Sequence, residues 1–235
     1  MDSGSYTEIT RFGTWRCDPD LFGSRVTRVL DNVGTPPVFC APQDIPCEPQ
    51  ARAASGLPVA EHQSDTIENL IYLREQFPFV PWLPVLQGWE PDQYLDHAFQ
   101  YRCAGIDLTR EPLVGVGSLC RRGAGQTSTV VRIIRSLRDL GITLHRFGVS
   151  QHVLARCPVE LSSVDSLAWS RSARWHGRAM PGCAHPGSCT NCADFALRWH
   201  RRATSLVQPR HRSLRPLRQQ RHGHAPSGVR AGRRQ

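Results

Sequence analysis

LVGVGSLCRRGAGQTSTVVRIIRSLRDLGITLHRFGV, residues 113–149, decides the fold class. Its ends are short apolar runs, 113–116 and 143–147, each closing on glycine or polar residues. Between them, Val130, Ile133, Ile134, Leu137 and Leu140 recur at three- and four-residue spacing, with Arg132, Arg135 and Arg138 interposed. That period is an amphipathic helix over 127–140. Strand, helix and strand in this order make a crossover unit, which needs a parallel sheet, open or closed into a barrel.

The same alternation extends outward. Further strand candidates are 38–41, 80–86, 105–108 and 161–164, and further helix candidates are 19–32, 66–76, 91–101 and 151–156. Polar or Gly-rich clusters follow five strands: Gln43-Asp44, Gln87-Gly88, Gly115 to Ser118, His145 to Gly148, and Asp165-Ser166. Any one of these could be a helix cap or a turn. Five in succession fit the C-terminal strand ends of an α/β barrel, which share one catalytic mouth.

Composition sets the outer bounds. At 235 residues, with 40% hydrophobic residues, the chain can bury one sizeable core. No run approaches the roughly 20 apolar residues of a membrane span. The N-terminus lacks the basic and apolar regions of a signal peptide, which leads us to expect a cytoplasmic protein and no membrane. The net charge of +9 is unevenly placed: eleven of 29 Arg lie at or after Arg198, and no acid follows Asp194. From Ala203 onward there is no apolar periodicity, so 203–235 is expected to be a basic disordered tail, or an out-of-frame reading.

Two groups of residues suggest chemistry. Asp2, Asp44 and Asp165 stand at strand exits or turns, and glycosyl transfer draws on such carboxylates for attack and for proton movement. Cys183, His185, Cys189 and Cys192 form C-x-H-x3-C-x2-C, a spacing that suits tetrahedral Zn2+ in a closed structural site. His200 is an alternative fourth ligand. Gly115 and Gly117 would let a flat ligand approach the backbone closely.

The motifs Asp2-Ser-Gly-Ser-Tyr, Pro84-Val-Leu-Gln87-Gly, Gly115-Val-Gly117-Ser118, Leu144-His-Arg-Phe147-Gly-Val and Asp165-Ser-Leu-Ala-Trp-Ser-Arg171-Ser-Ala-Arg174 occur in this order. Together with the Cys-rich segment they resemble the tRNA-guanine (queuine/archaeosine) transglycosylase superfamily. PVLQGW, GVGSLCRR, VDSLAWSRSAR and CTNCADFALRW are most similar to the DpdA-type transglycosylases that place 7-deazaguanines in DNA. The resemblance implies a (β/α)8 TIM-type barrel over 1–180, a small zinc-binding segment at 181–202, and the tail at 203–235. It also implies that the barrel is incomplete, with its first strands missing and Asp2 at an untethered terminus.

The implied activity exchanges guanine for a 7-deazaguanine (preQ0-like) base through a covalent aspartyl-glycosyl intermediate. By resemblance, Asp165 is the nucleophile and Asp2 moves protons. Asp44, Gln87, Gly115, Gly117, Ser118 and Phe147 hold the base, while Arg171 and Arg174 meet phosphates. DNA is the implied partner, with tRNA the alternative, alongside partner proteins of a DNA-modification system. A non-catalytic, zinc-stapled nucleic-acid-binding fragment is a third reading.

Overall fold

A computed structural model describes residues 1–35, 37–120, 122, 124–148, 155–156, 162–166 and 168–207. Four strands, β1 (Val85–Leu86), β2 (Val114–Val116), β3 (Leu144–Arg146) and β4 (Ser163–Val164), pair in parallel and in sequence order. Two more segments extend this sheet beyond β1. Cys40 bridges Trp82 in parallel. Met1 donates its amine to Phe39 O at 2.6 Å and accepts from Ala41 N at 2.9 Å. That alternation is the hydrogen-bond pattern of parallel neighbours. The expected untethered terminus is therefore corrected: Met1 is tied to the Cys40 segment, and Asp2 leaves from a fixed point.

Strict sequence order is what a barrel wall requires, whereas a doubly wound sheet reverses direction at a switch point. The sheet also curls. Three strand spacings, about 14 Å in a flat sheet, separate the Cys40 segment from β3. Yet the Phe39 and His145 rings lie 4.6 Å apart and the Phe39 and Phe147 rings 6.3 Å apart. Side chains from distant strands thus converge on one interior, where a cavity of about 890 Å³ lies among Phe39, Leu83, Leu113, His145 and Val164. Among the described residues the strands form a curled parallel sheet that does not close into a barrel.

The helices are α1 (Ser5–Phe12), α2 (Pro19–Asn32), α3 (Pro49–Ser55), α4 (Val59–Gln76), α5 (Pro91–Cys103), α6 (Thr127–Asp139), α7 (Ala168–His176) and α8 (Ala193–Val207). α2 starts where Asp18 caps Leu21 N and Pro19 presets the first turn. α5 starts on a capping box between Glu90 and Gln93. α6 buries Val130, Ile133, Ile134 and Leu137 of the stripe that its period anticipated, while Leu140, just past the helix end, is exposed. The core unites these with Leu70, Leu73, Tyr94, Tyr101, Val114, Val116 and Leu144.

Several expectations change. Residues 105–108 form no strand but turn away from α5, with Leu108 plugging the core from a loop. α4 begins seven residues before the expected 66. α1, α3, α7 and α8 fall where no helix was anticipated. α8 runs through the boundary expected at Ala203, which is 8% exposed and packed into the core. The tail, 208–235, and most of the helix expected at 151–156 lie outside the described residues, while Ala155 and Arg156 sit in a turn. No helix among the described residues is long and apolar enough to cross a membrane.

Candidate active site and metal centre

Strand ends place the polar residues. Gln87 follows β1, and two contacts fix its backbone, with a third at Val85. Its N–H donates to His97 Nδ1 at 2.8 Å, and its carbonyl accepts from Gln63 Nε2 at 2.8 Å. Tyr101 Oη donates to Val85 O at 3.0 Å, just upstream. Burial pushes His97 down to about 3, so it stays neutral and can accept. The Gln87 side chain is thereby aimed at Asp44, with Nε2 2.6 Å from Oδ2.

Asp44 is 5% exposed and also accepts from Ser3 Oγ at 2.7 Å and Ser5 Oγ at 3.2 Å. Burial pushes its carboxyl up to about 6, and the Asp2 charge adds to this, while hydrogen bonds from Ser3, Gln87 and Ser5 oppose it. Ser118 follows β2 with φ +54, the one positive φ at a non-glycine residue among those described. Strain of this kind persists where surrounding contacts over-determine a position. Here Ser118 Oγ accepts from Cys47 N at 2.8 Å and lies 2.6 Å from Gln87 Oε1 and 2.7 Å from Glu48 Oε2.

The glycines work differently from the expectation. Gly117 N–H donates to Leu86 O and Gly115 N–H to Pro84 O, so sheet pairing uses both amides. What each supplies is space. A Cβ at Gly117 would lie within 2.8 Å of the Gln87 amide atoms, and one at Gly115 would meet Phe147 Cε2 at 2.7 Å. Gly117→Ala should therefore displace Gln87 and lower stability by about 1–3 kcal/mol, the cost of overpacking a tight site. A denaturant melt checks this, and unchanged stability would refute the assigned packing role.

These residues surround one cavity of about 560 Å³ at the strand exits, lined by Asp2, Asp44, Glu48, Gln87, Gly117, Ser118, Phe147, Gly148, Ser166, Arg171 and Arg174. Gly115 lies one layer below, under Phe147. Asp165 is not part of that lining: it borders two neighbouring cavities and meets this one through Gly148. Its Oδ1 accepts from Gly148 N at 2.7 Å, and its Oδ2 lies 3.9 Å from His145 Nε2. Burial works against its ionisation, but the His145 ring and the Gly148 N–H outweigh that and hold the carboxyl below the usual range. The result is an ionised carboxylate, half-exposed and tied to the cavity through Gly148.

A family model described as "DpdA: DeoxyPurine in DNA protein A" matches residues 1–217. The chain belongs to this family. No curated protein and no solved structure matches it.

The DpdA-family chain also assembles its Cys-rich segment. Ligand atoms of Cys183, His185, Cys189 and Cys192 all lie within 4.8 Å of one another. Cys183 and Cys192 Sγ are 3.7 Å apart, close to the roughly 3.8 Å edge that 2.3 Å bonds to tetrahedral zinc would give. Met180 N and Phe195 N donate to Cys189 and Cys192 sulfurs at 3.2 and 3.5 Å, and Arg198 Nη2 reaches Cys183 Sγ at 2.7 Å. Such donors suit thiolates bound to a metal. His200, the alternative ligand, instead lines a separate cavity with Trp169 and Trp199 beside Asp165. The sequence reading missed Glu48, Ser3, Ser5 and His145, whose partners are distant in the chain or were read only as strand ends.

Proposed function

We propose that this chain is a DNA guanine transglycosylase that exchanges guanine for a 7-deazaguanine through a covalent glycosyl-enzyme. Family membership supports glycosyl transfer and DNA modification in general. The observation that carries the finer reading is the cavity. Its buried acceptor, Asp44, and its amide, Gln87, suit the N1–H, N2–H and O6 edge of guanine, with an ionised Asp165 tied to its lining through Gly148. Guanine and 7-deazaguanine share that edge, so one site can hold the leaving base and then the arriving base.

In the first half-reaction, an Asp165 oxygen forms a bond to C1′ as the C1′–N9 bond breaks. The bonding pair passes to N9, and Asp2 supplies the proton that neutralises the departing guanine. In the second half, the N9 lone pair of the incoming base attacks C1′, the ester to Asp165 breaks, and Asp2 takes the N9 proton. Phe147 covers the base face, while Arg171 and Arg174 offer positive charge to flanking phosphates. The target nucleotide must leave the stack, at a few kcal/mol, less in a single strand. Zn2+ held by Cys183, His185, Cys189 and Cys192 would be structural, because the protein supplies all four ligands and leaves no open position. Partner proteins that present the strand fit the same scheme.

Radiolabelled guanine tests the reading. The chain should incorporate labelled guanine into DNA, with little incorporation into tRNA. Incorporation into tRNA alone would favour the RNA enzyme, and incorporation into neither would end the exchange reading.

A further inference from the structure

Asp44, Gln87, Ser118 and Glu48 form an unbroken hydrogen-bonded chain, and all four are at least 95% buried. Its three links are Asp44 Oδ2 to the Gln87 amide at 2.6 Å, the amide to Ser118 Oγ at 2.6 Å, and Ser118 Oγ to Glu48 Oε2 at 2.7 Å. Each link needs one proton between its heavy atoms. The Gln87 amide has donors on one side only, so it serves one of its two links. The Ser118 hydroxyl has one proton and serves one. Two protons cannot fill three links. The third must come from a carboxyl group, and the chain ends on two of them.

From this count we infer that Asp44 and Glu48 share a single proton, relayed between them by Ser118 and Gln87. Two arrangements satisfy every link. With the Gln87 amino group toward Asp44, Ser118 donates to Gln87, and Glu48 carries the proton and donates to Ser118. With the amide flipped, Asp44 carries the proton and donates to Gln87, which donates to Ser118, which donates to Glu48. In both, Ser118 Oγ also accepts from Cys47 N, so its two lone pairs and its proton are all used. The missing side chain at Gly117 leaves room for the amide in either orientation. Whichever other groups meet Glu48, the count of protons along these three links is the same.

The inference rests on the base-binding reading of the cavity and adds to it. A guanine-type base donates N1–H and N2–H and needs Asp44 as a carboxylate. When the base arrives, Asp44 gives its proton to the Gln87 oxygen, the Gln87 nitrogen gives one to Ser118, and Ser118 gives its own to Glu48. Gln87, left as its imidic acid, returns the oxygen-bound proton to nitrogen and turns over, and the steps reverse when the base leaves. The buried pair keeps one negative charge throughout, so neither base has to bring or remove a proton at this edge. Glu48 and Ser118 are positioning residues that act through Asp44 and Gln87.

Infrared difference spectroscopy on the full chain near neutral pH tests this without catalysis. Wild type should show a hydrogen-bonded carboxylic-acid carbonyl band that both Glu48→Gln and Asp44→Asn remove. Each substitution supplies a permanent N–H to its end of the chain and leaves the other end ionised. A wild type without the band, or a band that survives Glu48→Gln, overturns the relay. Wild type alone gives a second test if a variant fails to fold. With guanine bound, the band should shift with 13C-labelled glutamate and not with 13C-labelled aspartate, and the reverse overturns the proposal. In titrations, Asp44→Asn should lose about tenfold to a hundredfold in guanine affinity. If guanine fails to bind wild type but the free-protein band behaves as stated, the relay stands and the base-exchange reading fails.

Discussion

Asp165→Ala should lower base exchange into DNA by on the order of 10^4-fold or more, because removing a nucleophile removes the whole covalent route. The expectation rests on position and charge together. β4 ends at Val164, so Asp165 emerges at the strand exit. Gly148 N–H and the His145 ring hold it as a carboxylate despite burial. Asp165→Asn keeps the shape and removes the charge, so it should be nearly as inactive. Guanine binding should survive both substitutions, because Asp165 stands outside the group that lines the base cavity. Labelled-guanine exchange beside isothermal titration separates the two effects. Near-normal exchange by Asp165→Ala would remove it from the chemistry.

The second large effect concerns the metal. Cys189→Ser together with Cys192→Ser should abolish stoichiometric zinc and unfold the segment that joins α7 to α8. Structural zinc contributes on the order of 10 kcal/mol of binding free energy at such sites, which is folding free energy for the segment it staples. Loss should be visible as a lower melting temperature and faster proteolysis between Arg178 and Asp194. A chelator should reproduce it in the wild type, while His200→Ala should leave metal content unchanged. Zinc retained by the double variant, or lost from His200→Ala, would contradict the assigned ligand set.

How much of this was legible in the sequence follows from the range of each signal. The stripe of α6 was legible because a helix repeats its signal every turn over 13 residues. The strand exits were legible because glycine and polar residues interrupt apolar runs there. Residues 105–108 misled for a physical reason: Ile106 and Leu108 alternate with polar neighbours because a loop tucks them against the core, which mimics a strand's period. α1 was missed because SYTEITRF carries β-branched residues, and the Asp2-Ser3-Gly4 turn before it reads as loop.

The cavity at the strand exits divides in the same way. Asp44, Gln87, Gly117 and Ser118 stand at strand ends and could be picked out individually. Glu48 could not, because its tie to Ser118 spans 70 residues and Pro49 beside it reads as an ordinary helix start. The roles of Gly115 and Gly117 were also out of reach. Only the packed structure shows their amides spent on the sheet and their missing side chains occupied by Phe147 and Gln87.

The most direct measurement of the central claim is to map the covalent intermediate. Wild-type protein is incubated with single-stranded DNA without an incoming base, quenched, digested and sequenced by mass spectrometry. A deoxyribosyl adduct should be found on the peptide that contains Asp165, should be absent from Asp165→Ala, and should disappear when a 7-deazaguanine is added before the quench. An adduct on another residue, or exchange that proceeds with no adduct on Asp165, would contradict the account.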